Sequence, residues 1–580
     1  MTTTDTSAPR PAAVLGRGLL DRLGRFEPSM LLWLALIALL LFLVVNPIAR
    51  LLISSFTDVR TGDWTLANYV TAYGRPRHVQ ALINTLYMGA GVVVLSTLFA
   101  VPLAWACSRT DMPGRNLVRL IVLGAFITPP YLGAVGWILL AGPNAGWINQ
   151  VWMSLTGDAS GIVNVFSFGG LVLVISTNVF FFIFVFTTNA LDMISSEMED
   201  AANVLGAGTL RTVTSITLPL VFPAILGGMI VTFLQAIALF GVPALISLPA
   251  RFPVVTTQLW QFFEFPVRVQ VAAAYAIPLL LITMAMFGMQ KLILRRKGFV
   301  SLTGKGGERR LVKLGPWRWV MLGYAVIIGI LTLVAPFTAL TQAAFSHAWG
   351  RGMSWDNFTV TNFTYLIFDH NLAMTAIVNS ILFAAAAAFL ALAIALAIAY
   401  IVDRKIVPFG GLLAFICMAP FVIPGVVLAI GFYAAYAPPP LALYGTSLIL
   451  IFAFAARFLP VAYANSAAGM RSINHEMEEA VRILGGGRLT AIRRVTAPLL
   501  KRTLAGGWLL IFIPAAQELS TAVFLTGPRT QVISVLLLDM SEEGNLEHLA
   551  ALGMILLVLT ILIVVVGMRL LGRDFMLRRT

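Results

Sequence analysis

Twelve apolar runs, each roughly 20 residues long, decide what this chain can become, because that length crosses a hydrocarbon core about 30 Å thick. They fall near 30–53, 84–107, 117–141, 167–190, 221–247, 271–293, 319–344, 377–401, 410–434, 443–467, 503–526 and 549–571. Lipid offers no water to unpaired backbone groups, so such runs must close their own hydrogen bonds as helices; a barrel strand would show only about ten alternating residues. A chain of 580 residues that is 59% hydrophobic and 11% charged is excluded from the soluble globular class. The expectation is an all-α polytopic membrane protein.

Lys and Arg number 39 against 25 Asp and Glu. Placed on loops with the N-terminus inside, about 30 of the basic residues fall on the cytoplasmic side and about 7 outside. That distribution reads as attraction to anionic lipid of the inner leaflet, not as a nucleic-acid patch. Both termini are then expected in the cytoplasm of a bacterial inner membrane. Residues 1–29 are basic, and the run after them is too long for a signal-peptide core, so the first helix is expected to stay as an anchor. Cys107 and Cys417 have no CxxC spacing and no His cluster nearby, which supports neither disulfide nor metal ligation.

Basic, glycine-punctuated residues 291–318 divide the chain into 1–290 and 319–580, each with six runs. Six is even, so the second set enters the membrane in the same sense as the first and the repeat is parallel. Its clearest trace is polar. Glu197-Met198-Glu199-Asp200-Ala201-Ala202-Asn203-Val204-Leu205-Gly206, closing at Pro219, returns 279 residues later as Glu476-Met477-Glu478-Glu479-Ala480-Val481-Arg482-Ile483-Leu484-Gly485, closing at Pro498. Fainter echoes pair Asn84-Thr85 with Asn379-Ser380, and the Trp64–Tyr69 stretch with Trp355–Phe358.

Ser195 and Asn474 are good N-cap residues, and the acidic residues after them suit the positive end of a helix. Gly206 and Gly208, like Gly485 and Gly487, allow the left-handed turn that stops one. The spacing predicts a short helix, a tight turn and an amphipathic second piece, with Leu210, Val213, Ile216 and Leu220 on one face, and Leu489, Ile492, Val495 and Leu499 in the other copy. A small Ala/Gly-surfaced helix on the cytoplasmic side of a membrane domain is shaped to sit in a partner's groove.

The pattern resembles the EAA loop of permease subunits of binding-protein-dependent ABC importers. Asp200-Ala201-Ala202, Gly206 and Ile216-x-Leu218-Pro219 match in the first copy. Glu479-Ala480-Val481, Gly485 and Val495-x-Ala497-Pro498 match less closely in the second. The resemblance implies a type I importer permease fold. It implies that Glu199, Asp200, Ala201, Ala202, Gly206 and Pro219 in one copy, and Glu478, Glu479, Ala480, Gly485 and Pro498 in the other, couple to two copies of an ABC ATPase. A periplasmic or other extracytoplasmic binding protein would deliver the solute. The fused double length, with Phe240-Gly241-Val242-Pro243 and Glu518-Leu519-Ser520-Thr521, looks most like iron(III) permeases, and thiamine and phosphonate permeases share much of the pattern.

No G-x-x-x-x-G-K-[ST] stretch is present, so the chain is expected to bind no cofactor, with ATP and Mg held by the partner ATPase. Arg457 and Glu518 fall near mid-membrane, where a charge costs about 2.5–3.5 kcal/mol unless it faces a cavity or a partner. With Gln235, Phe240 and Gln517 they are the candidate pathway residues. Pro129-Pro130 and Pro420 with Pro424 suggest hinges. Twelve helices in parallel repeats also describe secondary transporters, but the duplicated motif between the fourth and fifth helices of each half, without a membrane-embedded carboxylate pair, favours the importer.

Overall fold

In the computed structural model the residues described are 28–193, 201–202, 204–296, 311–352, 354–407 and 409–571. Among them ten helices are long and apolar enough to span a membrane. In the first half these are α1 (Leu31–Ser55), α2 (Pro76–Arg109), α5 (Phe168–Met193), α6 (Val213–Ala238) and α7 (Val269–Ile293). The second half repeats them as α8 (Trp317–Ala344), α9 (Asn371–Asp403), α12 (Ser447–Arg471), α13 (Ile492–Ala516) and α14 (Leu546–Gly567).

The runs expected to be the third helix of each half are not straight. The first is α3 (Arg115–Ile127) with α4 (Pro130–Ala141), bent by 99°; the second is α10 (Gly410–Val422) with α11 (Gly425–Tyr436), bent by 114°. The helical region is disfavoured for a residue before proline. Thr128 accordingly has φ −74, ψ 138 before Pro129, and Ile423 has φ −91, ψ 120 before Pro424. The runs 221–247 and 503–526 are also interrupted, at Leu239 and Gln517. Pro243 has no N–H to give the carbonyl of Leu239, four residues back.

Other prolines are absorbed without a break. Four π-turns, Leu41–Val45, Val213–Thr217, Ile330–Val334 and Ile492–Thr496, each end two residues before a proline: Pro47, Pro219, Pro336 and Pro498. A widened turn relieves the clash of the ring with the preceding turn and skips the missing donor. Pro219 and Pro498, at which the repeated segments close in sequence, therefore lie within continuous helices. The face read as apolar is only half-buried at Val213, Ile216, Ile492 and Val495, and the buried residues are Thr212 and Thr217 in one copy and Ala491 and Thr496 in the other.

The halves interlock. The end of α1 packs on α11 of the second half, and the end of α8 packs on α4 of the first. Glycine permits both contacts: a Cβ on Gly431 would stand 2.7 Å from the Pro47 carbonyl oxygen, and one on Gly136 would collide with that of Pro336. The Tyr436 hydroxyl, in addition, donates to the Phe42 carbonyl.

Loop hydrogen bonds show where the repeat is true. Thr85 Oγ1 accepts from Val255 N at 2.8 Å, as Ser380 Oγ accepts from Ile533 N at 2.8 Å, which bears out the Asn84-Thr85 echo. The tryptophan echo is misregistered. Asn68 Nδ2 donates to the Ser55 and Thr57 carbonyls, and its counterpart is Asn362, which donates to those of Ala344 and Ser346. The inner end of the linker is tied to the first half, since Val312 N donates to Arg109 O at 2.8 Å and Leu314 N to Asp111 Oδ1 at 2.9 Å.

If the interlock holds the halves together, Gly431→Val should destabilise the protein in detergent by about 1–3 kcal/mol, the usual cost of overpacking. Gly411→Val, where nothing lies within 4 Å, is the control; equal melting shifts for the two would contradict the contact.

Candidate functional site

Two regions hold the candidate residues: the repeated loops at one end of the bundle, and the helix breaks at its centre. In the second loop the Asn474 side chain caps His475–Ile483 by accepting from Glu476 N. Gly485 has φ +84, and Gly486 N reaches back to Val481 O at 2.9 Å, closing the turn that a left-handed glycine allows. The first loop ends in the same way, with Gly206 at φ +82 and Ala207 N on Ala202 O at 2.9 Å. Glu199 and Asp200, with the rest of 194–200, lie outside the described residues.

The coupling candidates divide by the direction they face. Ala201, Glu479 and Ala480 are exposed, as are Pro219 and Pro498, while Ala202 is buried. Glu478 points inward. It takes Arg404 Nε at 3.1 Å and Nη2 at 3.0 Å, and accepts from Thr496 Oγ1 and Tyr400 Oη. Burial pushes this carboxyl up, but the Arg404 fork and the Thr496 hydroxyl outweigh it and hold the pKa below the ordinary carboxylate value. Glu478 thus fastens the loop to the end of α9, while the equivalent end of α2 carries the buried Arg109.

The tip of each loop is apolar and bare, a feature that the spacing of polar residues does not reveal. Val204 and Leu205 are each 87% exposed, and Ile483 and Leu484 are 85% and 87% exposed. Four apolar side chains are bared at equal offsets as two small apolar knobs, the kind of exposed surface that marks a candidate contact site. Their recurrence immediately before both turn glycines was the available signal.

At the centre, Arg457 Nε donates to Glu518 Oε2 at 3.0 Å. The other carboxylate oxygen accepts from Thr521 N at 3.1 Å and Thr521 Oγ1 at 3.2 Å, so the charge is fixed at the break after α13. Gly425 leaves room for the guanidinium, since a Cβ there would lie 2.6 Å from Arg457 Nη1. Phe240 is fully buried at the first-half break, with its ring 6.0 Å from that of Phe524. Gly241 packs against Leu519 and Tyr131, so both breaks and the start of α4 meet.

Tyr131, which the sequence reading did not single out, is 4% exposed, and its hydroxyl has no hydrogen-bond partner among the described residues. The two glutamine side chains are placed differently. Gln517 donates to Thr560 of α14 at 3.2 Å, and Gln235 is exposed. The arrangement can hold a closed apolar plug between the halves, flanked by one fixed ion pair. Beyond the break Phe263 continues the plug, 4.9 Å from Phe524 and 5.2 Å from Tyr433.

Comparison with known proteins agrees with this architecture. Residues 407–575 match the family of binding-protein-dependent transport system inner membrane components. The ferric transport system permease protein FbpB of Actinobacillus pleuropneumoniae is 26% identical over 542 residues, covering 92% of this chain and 76% of the relative. A putative ferric transport system permease FbpB 1 of Haemophilus influenzae is 26% identical over 87% of this chain and 78% of its own length. The molybdenum transport system permease ModB of Escherichia coli K12 is 31% identical over 163 residues, 28% of this chain and 69% of the relative.

Two measurements test the site. Glu478→Gln should cost roughly 1.5–3 kcal/mol, the range for a hydrogen bond to a charged group. Because the folded pKa lies below the ordinary value, the wild-type contribution is present above about pH 4.5 and fades as pH falls through the folded pKa. Melting curves of the two proteins should therefore converge on acidification, and a constant gap would contradict the anchor. A double-mutant cycle of Arg457→Met and Glu518→Gln should show a coupling of about 0.5–3 kcal/mol, because either single change strands the other charge. Additive losses would place the two in separate environments.

Proposed function

We propose that this chain, which belongs to the inner-membrane permease family of binding-protein-dependent ABC importers, carries ferric iron into the cytoplasm by alternating access. The observation that supports iron is the alignment with two ferric permeases over 92% and 87% of this chain, where the molybdenum relative matches only 28% of it. In this reading residues 1–290 and 319–580 are the two permease repeats, joined through 291–318. The repeated loops and both termini face the cytoplasm, where two copies of an ATPase bind ATP and Mg.

Nucleotide acts at a distance. Closure of the ATPases draws the knobs Val204–Leu205 and Ile483–Leu484 together. The second loop transmits that movement to α9 through the Glu478–Arg404 fork, and both loops continue directly into α6 and α13, which end at the central breaks. Reversing an inward-to-outward ratio from 1:99 to 99:1 takes about 5.5 kcal/mol of differential binding. Phe240 and Phe524 part as the halves separate, and Glu518, held by Arg457, lies beside the opened path as its fixed carboxylate. A binding protein at the opposite end releases the ion into it.

Proteoliposomes containing the chain, its ATPase and a ferric binding protein outside should accumulate radioactive ferric iron only with ATP inside. Uptake driven by an ion gradient without nucleotide would contradict the mechanism, and ATP-driven uptake of molybdate instead of iron would contradict the cargo.

A further inference from the structure

The end of the bundle opposite the coupling loops is lopsided in charge. In the first half Arg75, Arg77 and Arg268 line an open pocket of about 380 Å³ together with Gln258, Gln261 and Glu264. All three arginines are exposed, and among the described residues none makes an ion pair. Beside them Phe265 projects with 96% of its surface exposed.

The repeat lets each position be compared with its counterpart, because Thr85 with Val255 and Ser380 with Ile533 fix the register. Arg75 and Arg77 become His370 and Leu372, and Arg268 becomes Leu546. Gly74, Gln261, Phe265 and Val269 become Asp369, Asp539, Glu543 and Glu547, while Glu264 is matched by Glu542. The first-half lip thus has three arginines and one carboxylate where the second has five carboxylates and no arginine. The lips face each other. The Glu542 carboxyl is pushed up by burial first, then by the neighbouring charges of Asp539 and of Glu264 from the other half.

We propose that these lips orient the binding protein: its acidic patch lands on Arg75, Arg77 and Arg268, with an apolar seat for Phe265, and its basic patch lands on Glu542 and Glu543. This rests on the importer reading above. Two lips of equal charge would accept a partner in either of two orientations related by the pseudo-twofold; opposite charges reject one by like-charge contact and steer the encounter into the other.

The test uses the complete permease–ATPase complex in nanodiscs and the ferric binding protein that stimulates its ATP hydrolysis. Replacing Arg75, Arg77 and Arg268 together by Glu should raise the half-stimulating concentration about tenfold or more, and Glu542→Lys with Glu543→Lys should do the same. The wild-type value should rise with salt. A photocrosslinker at Val267 should capture an acidic surface of the partner, and one at Asn545 a basic surface. Because these side chains are exposed, the melting temperatures of the variants should match wild type; the milder Arg75→Gln with Arg77→Gln serves if the triple reversal does not fold, with a smaller shift in the same direction. Unaltered stimulation of the reversed complexes, or capture of the same partner surface at both positions, overturns the inference alone. A wild-type complex that no binding protein stimulates overturns the importer reading and this inference with it.

Discussion

Hydrocarbon leaves no unpaired backbone group unpunished, and the rest of this architecture follows from that constraint. A chain that must change shape in a membrane needs interrupted helices, and interrupted helices must be covered by protein. Here the bent pairs α3–α4 and α10–α11 have their second members buried along most of their length. Each is covered by the first helix of the opposite half. The exchange that makes one molecule of two repeats is thus the same packing that makes its central breaks tolerable.

Proline serves two opposite ends in this scheme. Where it follows a residue driven into extended geometry, as at Pro129 and Pro424, the helix turns sharply and a pivot results. Where a π-turn precedes it, as at Pro219 and Pro498, the helix continues unbroken from the loop towards the centre, the rod that the proposed coupling requires. The loops differ in charge, since the second carries Arg482, Arg493 and Arg494 where the first has Asn203, Thr214 and Ser215. Unequal loops and unequal outer lips suit a fused chain, in which the two repeats need not stay interchangeable.

Much of this was legible in the residues. Run length and count gave the spans, the 279-residue repeat gave the loops, and the isolation of Arg457 and Glu518 in apolar sequence called for a cavity or a partner for each, of which the 3.0 Å contact is the partner. What was not legible depends on partners far along the chain. Spacing places Glu478 on a short helix but cannot tell that Arg404, on another helix, turns it inward. Proline signals a break without its angle, and Gly431 reads as an ordinary small residue until Pro47 is seen against it. Gln517 and Gln235 looked alike in sequence, yet one meets Thr560 and the other is exposed, because helix rotation is set by neighbours and not by period.

The claim at the heart of this account is that the coupling knobs and the central plug move as one. Paired spin labels on the assembled complex test it directly, one pair at Val204→Cys with Ile483→Cys and one at Phe263→Cys with Phe524→Cys, since the native Cys107 and Cys417 are buried. Trapping the ATPases with nucleotide should shorten the first distance and lengthen the second together, at the same nucleotide concentration. A knob distance that closes while the plug distance stays fixed would contradict the account.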